Sequence, residues 1–459
     1  MINKAIFDVE NNWDWHLDRY QKYVRQPSVS GTGQGMREMA DLIANDLKSL
    51  GCTEVSLVAT EGYPVVKGFL NQNQPKTILI YGMYDVQPVE NEKWITEPFS
   101  GNIINLPKFG DCIVSRGITN QKGPLAGFLN VVENFIKNDI SLPVNLIFFI
   151  EGEEELGSVH LPYAIETCKE ELKNANCVFF PHFSQNSDGK VELYMGSKGV
   201  LHIELTCEGG DWGGPVGEGI HGCNAVWMDN PIWKMIHVLA SLKNEKEEVL
   251  VDGFYDDVSY EWPGDELILD QLLKTFSEEE ILSEWRVKKF KNNLHGRALL
   301  KRYFYYPELN INGIFGGHVT EGSKTLLPHK VTARIDVRLV PKMQPEDIMN
   351  KIKKHLSNYP EISYKMVNAY NWARTPYESP AVQSMVQAMK SLGFEAEPWI
   401  TMAGSAPFSL FESILGLPSA FGGLGHGAQQ HCPNEYASIE GFKLFEKSCI
   451  KFLENIAKF

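Results

Sequence analysis

Five segments of the chain carry side chains able to do chemistry. They are Met83 and Asp85 in "YGMYDVQP", Asn120 in "RGITNQKGP", Glu154 and Glu155 in "EGEEELGS", His182 after "NCVFFP", and His431 in "QHCPNEY". Paired carboxylates with histidines suit a hard or borderline metal and a general base. Four of the segments follow strand-like runs, where open α/β sheets place their sites. Met83 is the odd member, because a metal ligand would be at home just after Gly82 and a thioether is a weak one for zinc. Each residue also has a plainer reading. The glutamate run suits a solvated loop, a lone histidine suits a hydrogen-bonded surface position, and a methionine suits a core gap. From residue types and spacing alone, the chain carries a polar site at strand ends.

The elements that must position these residues alternate. "KTILIYG", "VNLIFFIEG" and "NCVFFPH" are short, apolar and β-rich, and read as buried strands. "MREMADLIANDLKSLG" reads as a helix stopped by Gly51, and "GPLAGFLNVVENFIKN" as a helix with Leu125, Phe128, Val132 and Phe135 on one face. The glycine-rich "EGGDWGGPVGEGIHG" breaks this rhythm. After it come the helix "NPIWKMIHVLASLKN", a charged stretch to about residue 300, the alternating strand "KVTARIDVRLVP" and the helix "PEDIMNKIKKHL". The pattern is that of an α/β domain interrupted by an inserted middle segment.

Composition sets the outer bounds. A chain of 459 residues is too long for one ordinary core. Apolar residues at 43% and charged ones at 22% fit a globular protein in water. No apolar run is long enough for a membrane helix, and the polar N-terminus lacks a signal-peptide pattern, so a cytoplasmic protein is expected. A net charge of −15 argues against nucleic acid as a partner. The eight cysteines are scattered without a CxxC pair and are expected to be reduced thiols, not a structural zinc site.

The order of "YGMYDVQP", "RGITNQKGP", "EGEEELGS", "GSKG", "NPIW", "EGSKTLLP", "RLVP", "GSAP" and "HCPNEY" resembles the carnosinase-like dipeptidases over nearly the whole chain. These belong to the two-zinc metallopeptidases, with carboxypeptidase G and aminoacylase. The resemblance implies a catalytic α/β domain, with a central mixed sheet covered by helices, at residues 1–204 and 376–459. It also implies a smaller inserted α+β lid at 205–375 that makes a homodimer contact. By the same resemblance Glu154 falls on the general base and Glu155 on a metal ligand, while His431 falls on the last histidine ligand. Asn120 stands where the family has a bridging aspartate, His182 where it has an aspartate ligand, and Met83 where it has a histidine ligand. Asp85 matches the residue that orients that lost histidine and would be left without its partner. Arg338 resembles the holder of the substrate carboxylate, and Gly404 and Ser405 resemble the loop at the substrate's terminus. His221 is the nearest candidate for a histidine that relatives lend across the dimer. An amide cannot bring the negative charge that lets one oxygen bridge two dications, so at most one zinc is expected, or none. The implied activity is on the amide bond of a small peptide or amino-acid derivative. The alternatives are a metal-independent enzyme using Glu154 for proton transfer (cyclisation, isomerisation or amide exchange) and a non-catalytic homologue.

Overall fold

The structure, a computed structural model, describes residues 2–90, 92–260 and 264–459. The chain divides into two compact units. One comprises Met1–Gly196, Arg374–Thr401 and Pro407–Phe459, and the other Ser197–Ala373 with Met402–Ala406.

The first unit is built on a six-stranded mixed sheet. Its strands include β1 (Thr53–Val58), β2 (Val65–Leu70), β3 (Thr77–Met83), β4 (Asn145–Glu151) and β5 (Cys177–Pro181), in the order β1-β2-β4-β3-β5 with Ser419–Gly422 at the edge. β3 runs parallel to both β4 and β5, and β5 parallel to Ser419–Gly422, whereas β1 and β2 are antiparallel. Every residue of β4 is buried, which explains its unbroken apolar run: a central strand covered on both faces has no polar side to alternate with. The helix Lys122–Lys137 buries Leu125, Phe128, Val132 and Phe135. The helix Met36–Ser49 ends just before Gly51, whose φ of 81° suits the left-handed turn that stops it.

The second unit holds a four-stranded antiparallel sheet of β6 (Gly199–Glu208), β7 (Glu308–Gly316), β8 (Lys330–Leu339) and β9 (Ile362–Tyr370), in the order β7-β8-β6-β9. The helices Pro231–Leu242 and Pro345–Leu356 cover one face. Their Met235, Val238, Leu239, Ile348 and Ile352 meet Leu201, Ile203, Leu205, Ala333, Ile335 and Val337 of the sheet. Asn230 caps the first helix by accepting the N–H of Ile232 at 2.8 Å. β6 pairs with β8 along its whole length, from Gly199↔Leu339 to Glu208↔Lys330, so a boundary at 204/205 would cut a continuous strand. The strand lies whole in the second unit. Among the described residues no helix is long and apolar enough to cross a membrane, and all eight cysteines are free.

Candidate active site

Because β3, β4 and β5 are parallel, their C-terminal ends lie on one edge of the sheet, and Met83 pairs with Glu151 in the ladder. Met83 is 1% exposed, and its N–H donates to Gln121 Oε1 at 2.9 Å. Gln121 in turn donates to the Pro181 carbonyl at 2.6 Å, so one amide ties the ends of β3 and β5 together. Asp85 is fully buried and is not left alone by the loss of a histidine. Its two oxygens accept the backbone N–H groups of Glu154 (3.2 Å) and Glu155 (3.0 Å), which fixes the acidic loop after β4. Burial, then the charge of Glu155, pushes the Asp85 carboxyl up to about 7.

Three of the sequence-derived candidates converge. Asn120 Nδ2 lies 2.8 Å from Glu155 Oε1 and 3.0 Å from His431 Nε2, and His431 Nε2 lies 3.1 Å from the same Glu155 oxygen. The second Glu155 oxygen accepts from Gln87 Nε2 at 2.7 Å. Glu155 raises the His431 imidazole above its ordinary value, chiefly through their hydrogen bond.

A small second sheet brings these loops side by side. Tyr436–Ser438 pairs with Gly110–Val114 (Tyr436↔Val114, Ser438↔Cys112), so the segment leading to Asn120 runs beside the loop carrying His431. Glu435 then clasps the turn. It is buried and accepts N–H groups from Gly117 (3.0 Å), Thr119 (2.8 Å) and Asn120 (2.9 Å), with Arg116 Nη1 at 3.2 Å.

Proton counting shows that this trio is not a satisfied hydrogen-bond triangle. If His431 Nε2 carries a proton for Glu155, it faces the Asn120 NH₂ donor to donor. If it carries none, it faces Glu155 acceptor to acceptor. Turning the Asn120 amide satisfies the histidine but sets two oxygens against each other across the Glu155 contact. While Glu155 is ionised, one of the three contacts is mismatched in each arrangement, donor against donor or acceptor against acceptor.

The remaining candidates stand apart from the trio. Glu154 is half-buried, and its carboxylate has no hydrogen-bond partner among the described residues. Burial, followed by Glu155, Asp85 and Glu151, raises it well above the usual carboxylate range. His182 packs beside Phe180 with ring centroids 6.1 Å apart, and its Nδ1 is enclosed without a hydrogen-bond partner. Burial lowers this imidazole to about 4, so it is neutral. Neither His182 nor the Met83 thioether makes a hydrogen bond to the trio among the described residues. No three His, Cys, Asp or Glu side chains among those residues are grouped to hold a metal.

Beneath the site lies Glu151, 1% exposed, accepting from Tyr81 Oη (2.5 Å) and Ser158 Oγ (2.9 Å) on one oxygen while the other has no partner. Burial raises its carboxyl to about 8. The folded chain therefore keeps this proton at neutral pH while the unfolded chain releases it near 4.5. Stability from this group is present below about 4.5 and is lost as pH rises toward about 8. The variant Glu151→Gln mimics the protonated acid and is expected to flatten that decline. Urea midpoints at mildly acidic and mildly basic pH check this. A decline as steep as the parent's would assign the pH dependence to other groups.

In the second unit, Arg338 donates through Nε to Asp336 (2.9 Å) and through Nη1 to Ser405 Oγ (3.0 Å). The Gly404 carbonyl accepts the Lys198 N–H at 3.0 Å, and Lys198 Nζ donates to the Tyr306 carbonyl at 2.8 Å. Among the described residues the Arg338 guanidinium keeps further N–H donors unused, and its side chain is about one-third exposed. His221 is exposed, and its Nδ1 accepts the Cys223 N–H at 3.1 Å, capping a short helical turn.

Sequence reasoning passed over Gln87, Gln121, Lys198 and Glu435. All four lie inside the motifs that identified the site, so their signal was position within a motif and not residue type.

The profile of Peptidase family M20/M25/M40 matches residues 79–455, a span that contains all of these first-unit residues. The chain belongs to that family. It is 28% identical over 475 residues to the Cys-Gly metallodipeptidase DUG1 of Candida albicans, covering 96% of this chain and 94% of that one. It is 28% identical over 407 residues to the Beta-Ala-His dipeptidase of Homo sapiens, covering 83% and 76%. Among solved structures, the M20 family metallo-carboxypeptidase Sso-CP2 from Sulfolobus solfataricus superimposes with a TM-score of 0.87 at 30% identity, over 97% of this chain and all of that one. The α/β architecture with a central mixed sheet and a smaller α+β unit is thus the fold of M20 dipeptidases.

Proposed function

We propose that this chain hydrolyses the amide bond of a small peptide or amino-acid derivative with a free carboxylate, using no more than one zinc ion. The observation that carries the reading is the trio Asn120, Glu155 and His431. A carboxylate oxygen, a neutral imidazole nitrogen and, with the Asn120 amide turned, an amide oxygen can all face one cation, which removes the mismatch that the ionised glutamate leaves in each hydrogen-bonded arrangement. The set does not extend to two metals, since Met83 offers a thioether and Asn120 brings no charge to a bridge. When bound, such a cation supplies a Lewis acid for the scissile carbonyl.

The rest falls to the chain's own residues. Glu154, free of hydrogen-bond partners, takes a proton from the attacking water and hands it to the leaving amine. Asp85 holds the Glu154 and Glu155 backbone in place. Arg338, steadied by Asp336 and Ser405, offers its open edge to the substrate carboxylate, where a guanidinium fork is selective. The names of the relatives specify Cys-Gly and β-Ala-His dipeptides, which makes such dipeptides the first substrates to try. We place the protein in the cytoplasm as a homodimer formed through the second unit, with His221 the residue nearest in sequence to a lent histidine.

A second reading draws on the same residues. Gln87, Asn120 and His431 already supply donors to both Glu155 oxygens. With that shell complete, Glu154 would serve metal-free proton transfer in cyclisation, isomerisation or amide exchange. Metal content decides between the two. About one zinc per chain, lost in Glu155→Ala or His431→Ala together with turnover, supports hydrolysis. Turnover unchanged by a chelator overturns it in favour of the second reading, and ligand binding without turnover of any derivative leaves a non-catalytic homologue. The double variant Met83→His with Asn120→Asp is expected to raise zinc toward about two per chain, by restoring a strong ligand and a charged bridge. No gain on elemental analysis would mean that His182 or its surroundings also bar the second ion.

A further inference from the structure

The second unit contains a cavity of about 350 Å³ whose lining side chains serve none of the roles above. One wall is a stripe of the helix Gly296–Tyr305. Ala298, Lys301, Arg302 and Tyr305 follow the i, i+3, i+4, i+7 spacing of a single helical face. Tyr260 and Tyr306, with ring centroids 4.7 Å apart, line the cavity together with Asn292 and Leu294. Tyr305 is held in place by donating to Asp265 at 2.5 Å, while no partner is found among the described residues for the hydroxyls of Tyr260 and Tyr306.

Arg302 is the unusual member. Its side chain is only 23% exposed, and its single hydrogen bond among the described residues, to Glu308 Oε2, is 3.4 Å long. That oxygen already accepts from Lys291 at 2.9 Å, and Lys243 takes the other. Among the described residues Lys243, Lys291 and Arg302 share Glu247 and Glu308 alone, so three positive charges meet two negative ones. The uncompensated charge falls to the group with the longest contact, which is Arg302. Its guanidinium carbon lies 5.0 Å from the centroid of the Tyr306 ring. A mostly enclosed guanidinium beside two aromatic rings tilted against each other at 44° is a receptor for a planar anion. The volume lies at the small end of ligand pockets, which suits one ring with one acid group and not a nucleotide.

We propose that this cavity binds an aromatic monocarboxylate, its acid group on Arg302 and its ring against Tyr260 and Tyr306. The site is separate from the Arg338 group, although both adjoin one sheet: Tyr306 leads into β7, where Glu308 pairs with Arg338 of β8. This inference does not depend on the proposed hydrolysis.

The test is calorimetric titration of the full chain with 4-hydroxyphenylacetate, with acetate and 4-hydroxybenzyl alcohol as probes lacking the ring or the charge. The expected result is one saturable site, weakened about tenfold or more in Arg302→Gln and by both control probes. Ala298→Phe, which fills the cavity and removes none of the charged partners of Glu308, should abolish binding, so the inference stays testable even where Arg302→Gln fails to fold. Arg338→Gln should leave the affinity within about twofold. Binding lost in Arg338→Gln but kept in Ala298→Phe would assign the acid to the other site and overturn the proposal. So would acetate binding as tightly as the aromatic acid, or no saturable binding up to about 5 mM.

Discussion

Glutamine in place of Glu154 is expected to lower kcat for dipeptide hydrolysis by roughly a hundred- to ten-thousand-fold, the range lost with a positioned general base, with little change in KM. The substitution keeps the size of the side chain and removes its ability to carry a proton. It disturbs little else, because the Glu154 carboxylate makes no hydrogen bond among the described residues and its backbone N–H stays on Asp85. Steady-state kinetics on Cys-Gly and β-Ala-His, with zinc content measured on the same preparations, would check this. A kcat within threefold of the parent's, at equal metal content, would remove Glu154 from the proton path in both readings of the site. Because burial and three neighbouring carboxylates raise its acid strength threshold, the Glu154 limb of the pH–rate profile should lie above the usual carboxylate range and vanish in the variant.

Much of this was legible in the chain, and the exceptions have physical causes. β3, β4 and β5 announce themselves because a strand buried on both faces must be continuously apolar. The stretch before residue 300 read only as charged, yet it contains the helices Asp265–Thr275 and Gly296–Tyr305. In the first of these, Ile268, Leu269 and Leu272 face inward while Leu267 and Leu273 are exposed, which blurs the apolar stripe. The departure of Met83 and Asn120 from zinc-ligand chemistry was visible in residue type alone. Which candidates would meet was not. Asn120, Glu155 and His431 come together through the pairing of Tyr436–Ser438 with Gly110–Val114, a contact across more than 300 positions that no local pattern encodes. Asp85 shows a similar limit: residue type and motif left it without its histidine partner, and the two backbone N–H groups that it accepts in the fold were not visible there.

Removal of Glu435 should damage the fold severely. In sequence it is a glutamate in a polar loop, where solvation is the ordinary expectation. In the structure it is fully buried because the turn from Gly117 to Asn120 turns three N–H groups inward, where water cannot serve them. Arg116, itself 1% exposed, provides the counter-charge and is shared with Glu92 at 2.9 Å. Glu435→Ala strips the acceptor from all three donors and leaves a buried guanidinium with Glu92 as its remaining carboxylate, beside the Cys432 and Pro88 carbonyls. A loss of about 3–5 kcal/mol is expected, the cost of breaking a buried pair from one side. Glu435→Gln keeps one carbonyl acceptor and should lose less, about 1–3 kcal/mol. Urea unfolding followed by tryptophan fluorescence measures both. Because the clasp also sets the backbone of Asn120, the glutamine variant should fold and yet bind zinc more weakly than the parent. If Glu435→Ala shifts the midpoint by less than the equivalent of about 1 kcal/mol, the turn holds its shape without the clasp, and the positioning of Asn120 must come from Gln121 and the pairing of the small sheet.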